Sequence, residues 1–361
     1  MSKALGMRCV WGLCGVLAGV FGFAPMARAE VTSDTSGSIM VYPKVVYSEE
    51  GRDTVIQLSN TSNNVVYAWC FYVDARESFG RPLWRVTDFR IVLTKQQPTH
   101  WVVSQGRQVN NGDNFSDPVE DGAGLDPGAI PPVQDGFQGE LKCIQSDPLT
   151  RLPFACTGED CRNDFTGHAA ITDGDTTDVA TYKAVGLEAV SSNADETLII
   201  GGSTAEAEYE PCADVLVMDF IYDGAIDPIS GTFEASSELT LVPCTQDFRG
   251  QTTPPVVAQF LVYNEFEQRL STSRRVECLL DTPISRIDTS QPARSIFSVD
   301  LGGTITGQAR IRGVGGGLAG VALLSLATDF ADPSTRLGWA SYSLNTVAET
   351  EEDSPDTIYL P

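Results

Sequence analysis

From Ser38 onward the chain breaks into short β-rich runs separated by Gly, Pro, Asn and Asp, and no helical period persists past about ten residues. That pattern excludes a helical bundle and predicts an all-β protein. The run Val65-Val66-Tyr67-Ala68-Trp69-Cys70-Phe71-Tyr72-Val73 constrains it further. A half-exposed strand alternates with polar residues, whereas this one is apolar on both faces, so it is expected to be central and covered on both sides. Strands are also expected at 39–47 and 54–59. The second of these should reach 65–73 through Asn60-Thr61-Ser62-Asn63-Asn64, residues that tolerate left-handed backbone and bond their own main chain.

Further strands are expected at 88–94, 100–104, 140–144, 168–172, 180–190 and 197–200. In the second half they are expected at 214–222, 237–242, 256–264, 274–281, 296–301, 304–312, 319–327 and 338–344. In 304–312 polar Thr304, Thr306, Gln308, Arg310 and Arg312 alternate with Ile305, Gly307, Ala309 and Ile311, and 274–281 places Val276, Cys278 and Leu280 on one face. Such one-sided burial is what two facing sheets require. At 361 residues the chain has room for two domains. The predicted architecture is therefore two antiparallel β-sandwich domains, 30–203 and 204–345, with long acidic loops and an acidic tail at 346–361. The boundary falls in the small, acidic stretch 201–211.

The opening segment 38–73 has a Val-Tyr-Pro-Lys-Val-Val strand, an Asp-Thr-Val-Ile-Gln-Leu-Ser-Asn-Thr-Ser hairpin and then the apolar strand. It resembles the start of immunoglobulin-like sandwiches of the PapD-like type, and the chain is similar in style to secreted bacterial proteins. The resemblance covers about a tenth of the sequence and implies a fold rather than an activity. The basic groove of a pilus chaperone has no counterpart in it.

Location is read from the N-terminus. Lys3 and Arg8 precede an uncharged stretch over residues 9–24, followed by Pro25 and Ala27-Arg28-Ala29. This has the form of a secretory signal peptide at 1–29, cleaved after Ala29. Cleavage removes three bases and no acid and takes the formal charge from −24 to −27. A field of that sign repels phosphate, which argues against nucleic acid and anionic lipid as partners. No membrane span is expected after cleavage, because the best remaining apolar run, 318–327, is far short of the ~20 residues a helix needs.

Seven cysteines follow the signal: Cys70, Cys143, Cys156, Cys161, Cys212, Cys244 and Cys278. Export places them in an oxidising compartment. Cys156 and Cys161 form the easiest bridge, since Thr-Gly-Glu-Asp between them makes a turn. The sequence does not fix the others. Cys70 with Cys143 and Cys212 with Cys244 is one arrangement, which leaves Cys278 as a small buried hydrophobe. No Cys-x-x-Cys pair supports a zinc ribbon or a thioredoxin-like site.

Catalytic motifs are sparse. His100 and His168 are the two histidines, and no Gly-x-Ser-x-Gly elbow accompanies them. Gly315, Gly317 and Gly320 match Gly-x-Gly-x-x-Gly but lack a β-α-β context, so a hairpin is expected there. Acids gather at Asp113, Asp117, Glu120, Asp121 and Asp126 in the loop 106–139, at Glu159, Asp160 and Asp164, and at Asp173, Asp175 and Asp178. The last three, closely spaced on a turn, are the candidate calcium ligands, although no EF-hand Glu follows. Trp84, flanked by charges in Arg-Pro-Leu-Trp-Arg, is the candidate ligand-binding aromatic, with Trp69, Trp101 and Trp339 assigned to packing.

The expectation is a secreted, non-enzymatic structural or interaction protein of the cell envelope or extracellular surface. Partners or further copies would be met through β-edge strands, with 38–47 as an edge candidate because of Pro43. The alternatives are a carbohydrate- or calcium-dependent ligand-binding protein and a secreted hydrolase that uses paired carboxylates.

Overall fold

The computed structural model describes residues 36–108, 126–174, 178–201, 207–213, 215–223, 225–226, 234–252, 254–287, 295–299, 302–328, 336–347 and 355–361. Among these the protein is all-β: strands joined by turns, two three-residue 3-10 turns and no α-helix. Among the described residues no helix is long and apolar enough to cross a membrane.

Two sheets share the N-terminal core. One runs Val185–Leu187, Ile39–Val46, Gln138–Ser146, Val66–Asp74, Arg85–Leu93, and the other Val179–Lys183, Phe165–Asp173, Arg52–Asn60, Pro98–Val102, all antiparallel. Tyr42, Ile56, Leu58, Tyr72, Phe89 and Trp101 meet between them.

The C-terminal half repeats the arrangement. Arg269–Val276, Val256–Asn264, Thr306–Val314, Val215–Ile221 and Asn345–Val347 make one sheet. It faces Ala225–Ile226, Glu234–Pro243, Leu318–Ala327 and Arg336–Ser343, with Leu280–Pro283 also paired to Glu234–Pro243. Leu216, Met218, Leu239, Phe260, Ala309 and Ile311 fill the space between them.

A third apolar layer explains the run at 65–73. Its alternate residues Trp69, Phe71 and Val73 point away from the first core, onto a small sheet of Thr197–Ile200, Asp356–Tyr359 and Gln246–Asp247. Phe71 stacks on Phe248 with centroids 4.0 Å apart and planes 10° from parallel, worth about 1 kcal/mol beyond area burial. The strand is thus covered on both faces, as its composition requires.

The expected Cys156–Cys161 bridge is present, and of the pairings the sequence left open the structure has Cys70–Cys143 and Cys212–Cys244, with Cys278 a buried free thiol. Three disulfides fit an oxidising compartment.

Several expectations are corrected. The segment 38–47 is not an edge: Ile39–Val46 is wholly buried and lies between Val185–Leu187 and Gln138–Ser146. Pro43 is accommodated because the register slips between Tyr42 and Val45, so no ladder donor is needed there. The strand expected at 274–281 is two strands, Arg269–Val276 and Leu280–Pro283, with a bend at Glu277 and Cys278 that moves the chain to another sheet. Of the strand expected at 296–301, the described residues form turns.

Within the acidic tail 346–361, residues 348–354 lie outside the described residues. Asp356–Tyr359 is a strand, not solvated tail, because Ile358 and Leu360 are apolar enough to enter the central layer. Asp356, only 5% exposed, accepts from Thr245 Oγ1 at 2.6 Å and from the Gly317 N–H at 2.9 Å. Gly317 belongs to the hairpin expected around Gly315 and must be glycine: a Cβ would sit 2.6 Å from that of Cys212.

Candidate functional site

Among the described residues the two buried lysines, Lys44 and Lys142, both lie where the two halves meet. Lys44 follows Pro43 in the register slip, so its backbone leaves the ladder and its N–H and C=O engage the Tyr182 hydroxyl instead. Its side chain, 2% exposed, crosses to the C-terminal half. Nζ donates to Asp281 at 2.8 and 2.9 Å and to Thr240 Oγ1 at 3.1 Å, with Glu238 at 3.4 Å. Asp281 also accepts from Thr240 Oγ1 at 2.7 Å and from Gln138 Nε2 at 2.6 Å.

Burial opposes both charges, but each is outweighed by its partner. Asp281 and Glu238 hold the Lys44 ammonium above its ordinary value, and Lys44 holds the Asp281 carboxyl below its own. The pair is ionised throughout the neutral range.

A second cluster lies on the same face of the Gln138–Ser146 strand. Lys142 Nζ donates to Glu140 Oε1 at 3.0 Å, to the Pro243 carbonyl at 3.0 Å and to Gln246 Oε1 at 3.2 Å, again joining the halves. Burial raises the Glu140 carboxyl despite Lys142. Burial, then the Glu140 charge, raises the Cys278 thiol.

Beside the Lys44 network opens a cleft of about 410 Å³ between the halves, with Arg52, Asp223, Glu238, Ser285, Arg286 and Trp339 on its walls. Arg52 lies over the Trp339 ring, 5.0 Å from its centroid. This cleft offers an aromatic face, hydroxyls and charges of both signs, which suits a polar uncharged or zwitterionic ligand better than a simple ion.

The residues singled out in the sequence are dispersed. Trp84 is half-buried against the central layer, with φ at 53°. Trp69 and Trp101 are buried, their N–H groups given to Asp88 at 2.9 Å and to the Tyr72 hydroxyl at 2.6 Å. Asp173 is buried and its N–H donates to the Asp178 carbonyl across the turn; Asp175 lies outside the described residues. Asp113, Asp117, Glu120 and Asp121 lie outside them too.

Asp126 accepts from the Gly128 N–H at 2.9 Å, and Asp164 takes Arg162 and Gln145. His100 and His168 are exposed in one row on the second sheet, with Gln57 between them. Cys212, Cys244 and Asp356 also converge, but the two sulfurs are bonded to one another and offer no thiolate to a metal.

Lys44, Glu140, Lys142, Glu238 and Asp281 were missed by the sequence reading. Their signal was present: a charge inside a strand whose neighbours are apolar, as in Val-Tyr-Pro-Lys-Val-Val and Gly-Glu-Leu-Lys-Cys-Ile. By alternation alone such positions would face solvent, whereas here they face the other half.

No protein-family model and no curated protein matches the chain. Among solved structures, the crystal structure of the CupB6 tip adhesin from Pseudomonas aeruginosa aligns at 14% identity over 89% of this chain and 95% of that one. The TM-score is 0.13, at which the likeness carries no argument.

Proposed function

We propose that the protein is an exported, non-enzymatic structural and interaction protein of the cell envelope or extracellular surface, built as two immunoglobulin-like sandwiches joined rigidly at a charged seam. The observation that supports it is the state of the seam. Where buried titratable groups converge, Lys44 and Asp281 are paired, ionised and hydrogen-bonded across the halves. A general acid or base needs a pKa near working pH, whereas these two are displaced away from neutrality in opposite directions. Their chemistry is suited to fixing geometry.

The cleft beside Trp339 favours a second reading, a carbohydrate-binding protein, in which a sugar ring replaces the Arg52 guanidinium on the indole face. Calcium in that reading would bind at the turn of Asp173, Asp175 and Asp178.

The test is to extract the protein mildly from its native source, measure its mass by light scattering and quantify co-eluting chains by mass spectrometry. A fixed-ratio assembly supports the structural reading. A monomer that binds a glycan, and loses it with Trp339→Ala, replaces it with the second.

A further inference from the structure

The strand Arg269–Val276 ends its sheet and, among the described residues, pairs only with Val256–Asn264. The hairpin bond from the Asn264 N–H to the Gln268 carbonyl, 3.1 Å, sets the phase of that ladder. Residues 270, 272, 274 and 276 therefore turn their backbone groups to the neighbouring strand. Arg269, Ser271, Ser273 and Arg275 turn theirs to the open side. The same four residues are the exposed ones.

The outer face of this sheet is also reversed in charge. The register places Arg269, Arg275, Arg310 and Arg312 on it, with Asp219 as the acid among the aligned strand positions; Arg275 Nε is also 2.9 Å from Glu277 Oε1 just past the strand, an exposed pair that an incoming carboxylate would share or displace. The chain as a whole carries 48 acids against 24 bases. An open ladder bordered by arginines, in a protein otherwise repelling anions, is suited to one kind of occupant.

We propose that the open edge of Arg269–Val276 is a strand-addition site for an acidic extended segment of a partner protein. Residues of an added strand that lie opposite Arg269 and Arg275 share their face and are six positions apart. The site therefore selects carboxylates at i and i+6, with small polar residues at i+2 and i+4 opposite Ser273 and Ser271. A second copy of this edge is disfavoured, because two-fold pairing about Thr272 sets Arg269 against Arg275 twice. The inference rests on the reading of the protein as an interaction module and names its partner's chemistry.

The test uses the mature protein and a labelled peptide, Glu-Val-Thr-Val-Thr-Val-Glu with blocked ends, followed by fluorescence anisotropy and by amide exchange at 269–275. The Glu peptide should bind at least about tenfold tighter than the same peptide with Lys at both ends, and more weakly as salt rises. Ser273→Pro removes an outward donor without touching the existing ladder and should weaken binding about tenfold with the melting temperature unchanged. Arg269→Glu, a side-chain change alone, should do the same.

Equal binding of the Glu and Lys peptides overturns the proposal. So does full binding by Ser273→Pro together with competition by heparin, which would make the arginines a polyanion face. Concentration-dependent self-pairing through 269–275 would install a second copy as the occupant and overturns it as well. If the peptide fails to bind while native material is a fixed-ratio assembly, this inference falls and the structural reading stands.

Discussion

Lys44→Met removes one charge of the seam while keeping an unbranched side chain of similar length. Breaking a buried ion pair from one side costs about 3–5 kcal/mol, chiefly because the remaining charge is stranded. Asp281 would keep its bonds from Thr240 and Gln138 and is 12% exposed, so the lower end, about 3 kcal/mol, applies. Glu238 is 27% exposed and 3.4 Å from Nζ, and Glu238→Gln should cost about 1 kcal/mol or less. Lys44→Met with Asp281→Leu leaves only the more exposed Glu238 without its partner and should recover part of the loss.

Urea unfolding gives all three costs, and the pH dependence of the first has a fixed sign. The Asp281 carboxyl is lowered in the folded state, so its contribution is present above the ordinary carboxylate value and is lost as pH falls through the lowered one. Lys44 is raised, so its contribution is full below the ordinary ammonium value and is lost only as pH rises through the folded one. The gap between wild type and Lys44→Met should therefore be level through neutrality and narrow in strong acid. A cost below about 1 kcal/mol, or a Glu238→Gln cost equal to that of Lys44→Met, would refute the reasoning.

Three further outcomes are expected. With residues 1–29 removed, Ellman's reagent at pH 8 should find no reactive thiol in the native chain and one in denaturant, since burial both shields Cys278 and raises its pKa. Removing the Cys70–Cys143 bridge, which spans 73 residues, should cost about 4 kcal/mol, against about 2 for Cys156–Cys161, which spans 5, measured by denaturant midpoints of the double Ser variants. Deleting residues 30–47 should abolish cooperative thermal unfolding, because it removes a buried interior strand; a melting transition near that of the intact protein would return this strand to the edge.

The all-β class, the doubly covered strand at 65–73, the five-residue Cys156–Cys161 bridge and the outward alternation of Gln308, Arg310 and Arg312 were legible because each depends on local pattern, whereas the two long-range bridges were not. Periodicity reports that a face is covered or bare without saying by what. Lys44 and Lys142 show the limit: a charge on the second face of a strand has the same signature whether it meets water or a carboxylate brought from 237 residues away, as Asp281 is. Pro43 misled for a related reason. It marks a missing donor, and a register slip in the interior satisfies that as well as an edge does. The bend at Cys278 was unreadable because Val276, Cys278 and Leu280 are apolar for two different cores.

The small sheet that covers Trp69, Phe71 and Val73 has a temporal consequence. Its first strand, Thr197–Ile200, bonds early to Glu208 and Tyr209 but meets its antiparallel strand only in Asp356–Tyr359 among the described residues, so the layer over the N-terminal sheet stays incomplete while the intervening chain is made. At about 5–20 residues per second that is roughly 8–30 s of nascent life with that apolar layer unfinished. A protein built this way presents its stickiest face to the cell before it has the means to hide it, and its yield in any host should depend on how well that interval is chaperoned.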